Sequence, residues 1–76
     1  MIDKLTVSEW ETIYLLADNA MNVSRVAAET YYSRKAIYER IRNIRAKTGI
    51  NPLDFWGLHS LIKQIEREED ELGRKG

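Results

Sequence analysis

The chain has 76 residues with equal numbers of basic and acidic side chains and no cysteine. This length allows one domain with a thin core, and no disulfide can reinforce it. One histidine, His59, forms no metal cluster, so we expect neither a metal nor a cofactor. No apolar run reaches the roughly 20 residues that cross a bilayer, and the N-terminus lacks a signal-peptide segment. We therefore expect a cytoplasmic protein, reinforced if at all by oligomerisation.

The net charge of the whole chain is zero, but its middle segment is basic. Residues 19–50 hold seven lysines and arginines against Glu29 and Glu39, a net charge of +5 in that segment. The acidic side chains are concentrated before and after it. Because a basic stretch marks a nucleic-acid surface better than the total charge does, this segment is the first place to look for a binding face.

The first two predicted elements are helices. Thr6-Val7-Ser8-Glu9 is a capping box that begins the first helix, and Asp18-Asn19 ends it. Asn22 or Ser24 caps a short second helix, whose apolar residues lie on one side.

The third predicted helix runs from Arg34 to Thr48, with Ser33 as its N-cap. Gly49 follows it as a left-handed C-terminal stop. Isoleucines recur along it at spacings of four and three residues, which defines a buried side. These are Ile37, Ile41 and Ile44.

The fourth helix is predicted to begin with Asn51 as its cap and Pro52 as its first residue. It extends to about residue 71, and residues 73–76 are expected to be a frayed tail, so one domain covers residues 1–72. The apolar stripe of this helix either covers the first and third helices or forms a homodimer interface. We favour a homodimer, because a twofold regulator fits a palindromic operator. The predicted interface residues are Phe55, Leu58, Ile62 and Ile65.

Two short helices at about residues 22–48, the second of them basic, predict a helix-turn-helix within a small all-α, four-helix domain with a longer C-terminal helix. In this arrangement the second helix enters the major groove. Its outer side supplies the candidate DNA contacts Ser33, Arg34, Lys35, Tyr38, Glu39, Arg42 and Arg45. Ser24 and Arg25 are candidate phosphate contacts at the start of the preceding helix.

Some side chains have two interpretations. Glu39 either accepts a hydrogen bond from cytosine or pairs with Lys35 or Arg42. Arg40 either reads a base or packs its stem and pairs with an acid such as Glu11, and we favour packing because it falls close to the buried side of the helix. Among the aromatic residues, one of the adjacent tyrosines Tyr31 and Tyr32 is expected to pack and the other to be exposed. Core positions are predicted for Trp10, Tyr14 and Trp56.

Two known families resemble this chain. Leu5-Thr6, Glu9, Glu11, Leu16-Ala17, Ala27, Ser33, Asn43-Ile44, Lys47 and Gly49-Ile50 look like the LuxR/GerE-type regulator domain, with one extra residue around Ala20. Asn22-Val23-Ser24, Ala27, Arg34, Arg40, Ile44 and Thr48-Gly49-Ile50 resemble the C-terminal helix-turn-helix of PucR-type regulators.

The resemblance implies a bacterial or phage transcription regulator whose third helix contacts operator bases. The chain departs from the pattern at Thr30, where leucine is usual, and at Ala36, where threonine is usual. Tyr31 stands where the turn often has glycine.

The leading hypothesis is a sequence-specific regulator with double-stranded DNA as its partner. The alternative is a protein-interaction adaptor or anti-regulator built on the same fold, which the acidic stretch at residues 66–71 and the zero net charge favour. An enzyme is not expected, because no constellation of catalytic residues is visible.

Overall fold

The computed structural model describes the backbone of residues 5–75 and the side chains of residues 5–68. Within that range the chain forms four helices and no strand: α1, Val7–Asp18; α2, Val23–Glu29; α3, Arg34–Thr48; and α4, Phe55–Lys75. The predicted small all-α fold with a long C-terminal helix is confirmed.

Local side chains set the ends of the first three helices, as predicted. The Thr6 hydroxyl accepts a hydrogen bond from the backbone N–H of Glu9 at 3.2 Å, and the Glu9 carboxylate accepts one from the N–H of Thr6 at 2.9 Å. Asn22, rather than Ser24, caps α2. Ser33 caps α3, which ends at Gly49 in the left-handed conformation (φ 73°). Glycine suits that conformation because it has no Cβ to clash.

The predicted start of α4 is wrong by three residues. Asn51 caps a turn instead of a helix, since its side chain accepts a hydrogen bond from the N–H of Leu53 at 3.0 Å. Asp54 takes the capping role, because its carboxylate accepts from the N–H of Gly57 at 3.0 Å. The helix begins at Phe55.

Gly57 explains why the turn and the helix meet closely. A Cβ built at this position would overlap the carbonyl oxygen of Asn51. The turn therefore folds directly onto the first turn of α4, and any larger residue would push the two apart. The helix is described to Lys75, Gly76 lies outside the described residues, and the expected fraying of residues 73–76 stays a prediction.

A single core holds the helices together. Helix α1 packs against α2, α3 and α4, and α2 also packs against α3. The core residues come from every helix and from the segment before α1. They are Leu5, Ile13, Leu16, Val23, Val26, Ile37, Ile41, Ile44, Leu58, Leu61 and Ile65.

The core corrects part of the predicted dimer interface. Leu58 and Ile65 are buried inside the single chain, so they are not available to a second copy. Phe55 is exposed and Ile62 is half-buried at the edge of the core. A helical stripe shows which residues share a side, and here that side faces α1.

The burial of the aromatic residues differs from the prediction at one position. Trp10 and Tyr14 are partly buried against the core, whereas Trp56 is exposed on the surface of α4. The adjacent tyrosines behave as predicted, because Tyr32 packs against the core and Tyr31 is exposed.

Candidate nucleic-acid interface

Four side chains form a continuous strip along the outer side of α3. Lys35, Tyr38, Arg42 and Arg45 follow one another at spacings of three, four and three residues, so they stack on one side of a 3.6-residue helix. All four are exposed. We call this strip the reading face.

The buried side of α3 explains why the reading face points outward. Ile37, Ile41 and Ile44 lie against the core and hold the helix in one rotational setting about its axis. Helices α1 and α2 cover that inner side, and α4 packs on α1. The described residues therefore leave the cationic side of α3 open to solvent.

The cations of the reading face are not paired with an acid in the described part of the chain. Among the side chains that the structure describes, Lys35, Arg42 and Arg45 form no salt bridge. Glu39 is exposed beside them, and its ion pair with Lys35 or Arg42, one of the two interpretations of this residue, is not formed among the described side chains. The positive charge of the strip is thus available to an incoming anion.

The remaining candidate contacts lie at the helix starts. Arg34 and the N-cap Ser33 are exposed at the beginning of α3, where the Ser33 oxygen accepts a hydrogen bond from the N–H of Ala36 at 3.1 Å. Ser24 and Arg25 are exposed at the start of α2. The structure thus places the α3 candidates on one helix and the other two on its neighbour; their contact with DNA stays a prediction.

The sequence of this unit matches a known family. Residues 10–65 match the family model of the PucR C-terminal helix-turn-helix domain. The chain belongs to this family. No curated protein and no solved structure shows significant similarity to it. In the described part of the chain, no helix has both the length and the apolar character needed to span a membrane.

Membership in this PucR-type helix-turn-helix family agrees with the predicted resemblance and with the α2–turn–α3 geometry. It points to a DNA-binding regulator and away from an enzyme. The matched segment includes the whole of α2 and α3 and the first half of α4.

Sequence reasoning missed an ion pair on the side of α3 that faces away from the reading face. The Lys47 ammonium donates a hydrogen bond to Glu9 Oε1 at 2.7 Å, and the Glu9 side chain is almost completely buried. The two residues are 38 positions apart, so no local sequence pattern indicates the contact. This pair ties the C-terminal end of α3 to the first turn of α1.

The pair also determines the ionisation of Glu9. Burial alone raises the pKa of this carboxyl group, but the hydrogen bonds from Lys47 and Thr6 and the charge of Lys47 together outweigh that effect. The net result is a pKa below the ordinary value of 4.5. Glu9 is therefore held as a carboxylate when the domain is folded.

A second contact on this side of α3 involves Arg40. Its guanidinium lies 3.8 Å from the centre of the Tyr32 ring, and the Tyr32 hydroxyl donates a hydrogen bond to Glu11 at 3.3 Å. The prediction that Arg40 packs is confirmed, but its predicted partner is wrong, because it stacks on Tyr32 instead of pairing with Glu11. Tyr32 lies between them and donates its hydroxyl hydrogen bond to the Glu11 carboxylate.

Proposed function

We propose that the protein is a transcription regulator that reads a specific sequence of double-stranded DNA with α3, acting in the cytoplasm on the nucleoid. The observation that carries this proposal is the reading face, a solvent-exposed strip of three unpaired cations and a tyrosine within the described part of the chain. A helix with its side chains is about 10–12 Å across. The major groove is about 12 Å wide, so α3 fits within it.

Different members of the site take different roles in this proposal. Lys35 in the first turn of α3 and Arg42 near its middle contact base edges, and the Arg42 guanidinium can bind guanine through two hydrogen bonds. Arg34 and Arg45 lie nearer the two groove walls and neutralise phosphates. Ser33, Ser24 and Arg25 add contacts to the DNA backbone, which fix the register of the protein without reading sequence.

Tyr38 on the reading face and Glu39 beside it add further base contacts in this proposal. Glu39 has no ion pair among the described side chains and is exposed, so its carboxylate is free to accept a hydrogen bond from a cytosine amino group. Tyr38 presents a ring and a hydroxyl between Lys35 and Arg42, which suits an apolar contact with a base edge.

Selection of bound sequences from random DNA duplexes tests the function. The wild-type protein is expected to enrich one motif, with binding that weakens steeply as salt is raised because counterions are released. Arg42→Ala is expected to lose preference at one position of the motif, whereas the control Lys63→Ala on α4 keeps it. If no duplex is enriched at low salt and a protein partner is captured instead, the domain is an adaptor.

We also propose that two copies pair through the outer surface at the start of α4. A groove of about 260 Å³ lies between the end of α1 and this part of α4, next to an exposed cluster of Phe55, Trp56 and His59. Phe55 and Ile62 line the groove. Because protruding rings and an apolar groove share one side of the molecule, a twofold axis allows each copy to fill the groove of the other.

Sedimentation measurements test this pairing. Phe55→Ser is expected to shift the protein from dimer to monomer at a given concentration, because it removes a largely exposed ring from the proposed interface. The control is Val7→Ser, which removes another exposed apolar side chain from the start of α1. A wild-type protein that sediments as a monomer at high concentration contradicts the proposal.

A further inference from the structure

Among the large hydrophobic side chains of the described residues, Tyr31 is the most exposed, and neither proposal above gives it a role. It lies in the turn between α2 and α3, and its ring is fully accessible to solvent. Tyrosine usually buries much of its ring, because the ring is apolar and only the hydroxyl needs water. A ring held entirely in solvent beside a reading helix therefore calls for an explanation.

The backbone of the turn does not require a special residue at this position. Outside glycine, positive φ values in the described residues occur only at Ala20 and Met21, in the preceding turn. Tyr31 thus stands at a site where glycine is common without needing the conformation that favours glycine. The tyrosine is compatible with the turn, and its side chain is free to serve another purpose.

The residues on both sides of Tyr31 are held by hydrogen bonds and packing. The Thr30 hydroxyl donates a hydrogen bond to the Val26 carbonyl at 2.9 Å and accepts one from the N–H of Tyr32 at 3.2 Å. Tyr32 is itself held between Arg40 and Glu11. These contacts hold the backbone on both sides of Tyr31 and so determine the point from which its side chain extends into solvent.

The position of Tyr31 relative to α3 indicates what it would touch. It lies two residues before the N-cap Ser33, a separation of at most about 7 Å along the chain. A helix about 10–12 Å across nearly fills a groove about 12 Å wide. The chain that leads into the N-terminal end of such a helix must pass along the groove wall, and this wall is made of phosphates.

We propose that Tyr31 is a further DNA contact, in which its hydroxyl donates a hydrogen bond to a phosphate oxygen at the edge of the major groove. This inference rests on the proposed function. Tyrosine hydroxyls are among the donors that proteins use toward the DNA backbone. The contact adds affinity and fixes register, and because tyrosine is uncharged it does so without releasing counterions.

Binding of the full chain to two DNA probes tests the proposal. One probe is a duplex recovered by selection from random sequences, and the other is a scrambled duplex of the same length and composition. Tyr31→Phe removes only the hydroxyl, and we expect about tenfold weaker binding to both probes. The slope of binding against salt and the ratio of the two affinities should not change. Val7→Ala, at an exposed residue of α1, is the control and should bind as wild type does.

The outcomes separate this inference from the function on which it rests. If wild type binds the selected duplex, Arg42→Ala weakens it, and Tyr31→Phe binds unchanged, the hydroxyl contact is overturned and the regulator remains. A Tyr31→Phe variant that loses preference for the selected duplex also overturns it, since a phosphate contact reads no sequence. If wild type binds neither duplex at low salt, both proposals fall. Thermal unfolding of Tyr31→Phe should match wild type, because the side chain makes no internal contact.

Discussion

The two sides of α3 carry the same kinds of cation in opposite environments. Lys35 and Arg42 on the reading face are exposed and form no salt bridge within the described side chains. On the side toward α1, Arg40 stacks on a tyrosine and Lys47 pairs with the buried Glu9. A count of positive charges along the helix would assign one function to all four cations. Their burial and their partners instead assign DNA contact to one pair and structural support to the other.

This difference matters energetically because a cation already paired is a poor ligand for DNA. Lys47 would have to leave Glu9 buried without a counter-charge before it could reach a phosphate. The exposed cations lose only water and counterions on binding. We therefore expect substitutions on the reading face to change DNA affinity and substitutions on the α1 side to change stability.

The largest expected effect comes from removing two cations of the reading face. The double variant Lys35→Ala/Arg42→Ala should bind its selected duplex about 100-fold more weakly, since one bidentate arginine alone contributes about 1–3 kcal/mol. Its free energy of unfolding should stay within about 0.5 kcal/mol of wild type, because both side chains are exposed. Fluorescence anisotropy and chemical denaturation measure the two quantities.

A charge-matched control keeps this test specific. Lys63→Ala/Arg67→Ala removes two exposed cations from α4 instead of α3. It should lower affinity by much less, through net charge alone. Equal losses in the two double variants would mean that DNA binding follows total charge and that α3 has no special role.

The next effect is on stability, from the opposite side of the helix. Lys47→Met keeps an aliphatic stem but removes the charge that Glu9 faces, so we expect a loss of about 2 kcal/mol in the free energy of unfolding. The figure is below that of a fully buried pair, because about a third of the Lys47 side chain is exposed. Arg45→Met makes a similar change two positions away on the reading face and should cost less than about 0.5 kcal/mol. If both variants unfold alike, the two sides of α3 are equivalent.

The features that could be predicted from the sequence are those that depend on neighbouring residues. The caps at Thr6 and Ser33 and the stop at Gly49 need only a side chain and a backbone group within a few positions. The reading face follows from helical spacing and from the isoleucines that occupy the other side. These interactions form wherever the same short segment becomes helical, so the sequence alone indicates them.

The features that could not be predicted depend on residues distant in the chain. Asn51 and Asp54 are equally good helix caps in isolation. In the folded chain α4 starts at the later of the two caps, and Gly57 lies close to the Asn51 backbone. Periodicity placed Leu58 and Ile65 on one stripe but could not say whether α1 or a second copy would cover it. Glu9 and Lys47 meet only after the chain has folded.

A smaller effect is the pH dependence of the α1 side. The pKa of Glu9 in the folded state lies below its ordinary value of 4.5, so folding favours the ionised carboxylate. The stability that results is fully present above pH 4.5 and is lost as the pH falls through the lower, folded pKa. Glu9→Gln lacks this contribution, so its stability curve should approach that of wild type as the pH falls below 4.5. Glu29→Gln, at an exposed acid of α2, should run parallel to wild type in the same denaturation series.

The smallest expected effect is at Arg40, where two contributions oppose each other. Stacking of the guanidinium on Tyr32 stabilises the fold by about 0.5–1 kcal/mol. One of its nitrogens, Nη1, is buried without a hydrogen-bond partner in the described structure, which costs part of that gain. Arg40→Met removes both and keeps the packing of the stem, so its net change should be small.

A double-mutant cycle separates the two contributions. Arg40→Met, Tyr32→Leu and the double variant are unfolded in denaturant, and the coupling between the two positions should be about 0.5–1 kcal/mol. The same cycle with Arg42→Met in place of Arg40→Met should give a coupling near zero, because Arg42 points into solvent on the other side of the helix. Equal couplings would show that Tyr32 does not distinguish the two arginines. The division of α3 into a reading face and a side that supports it would then have no energetic basis at this position.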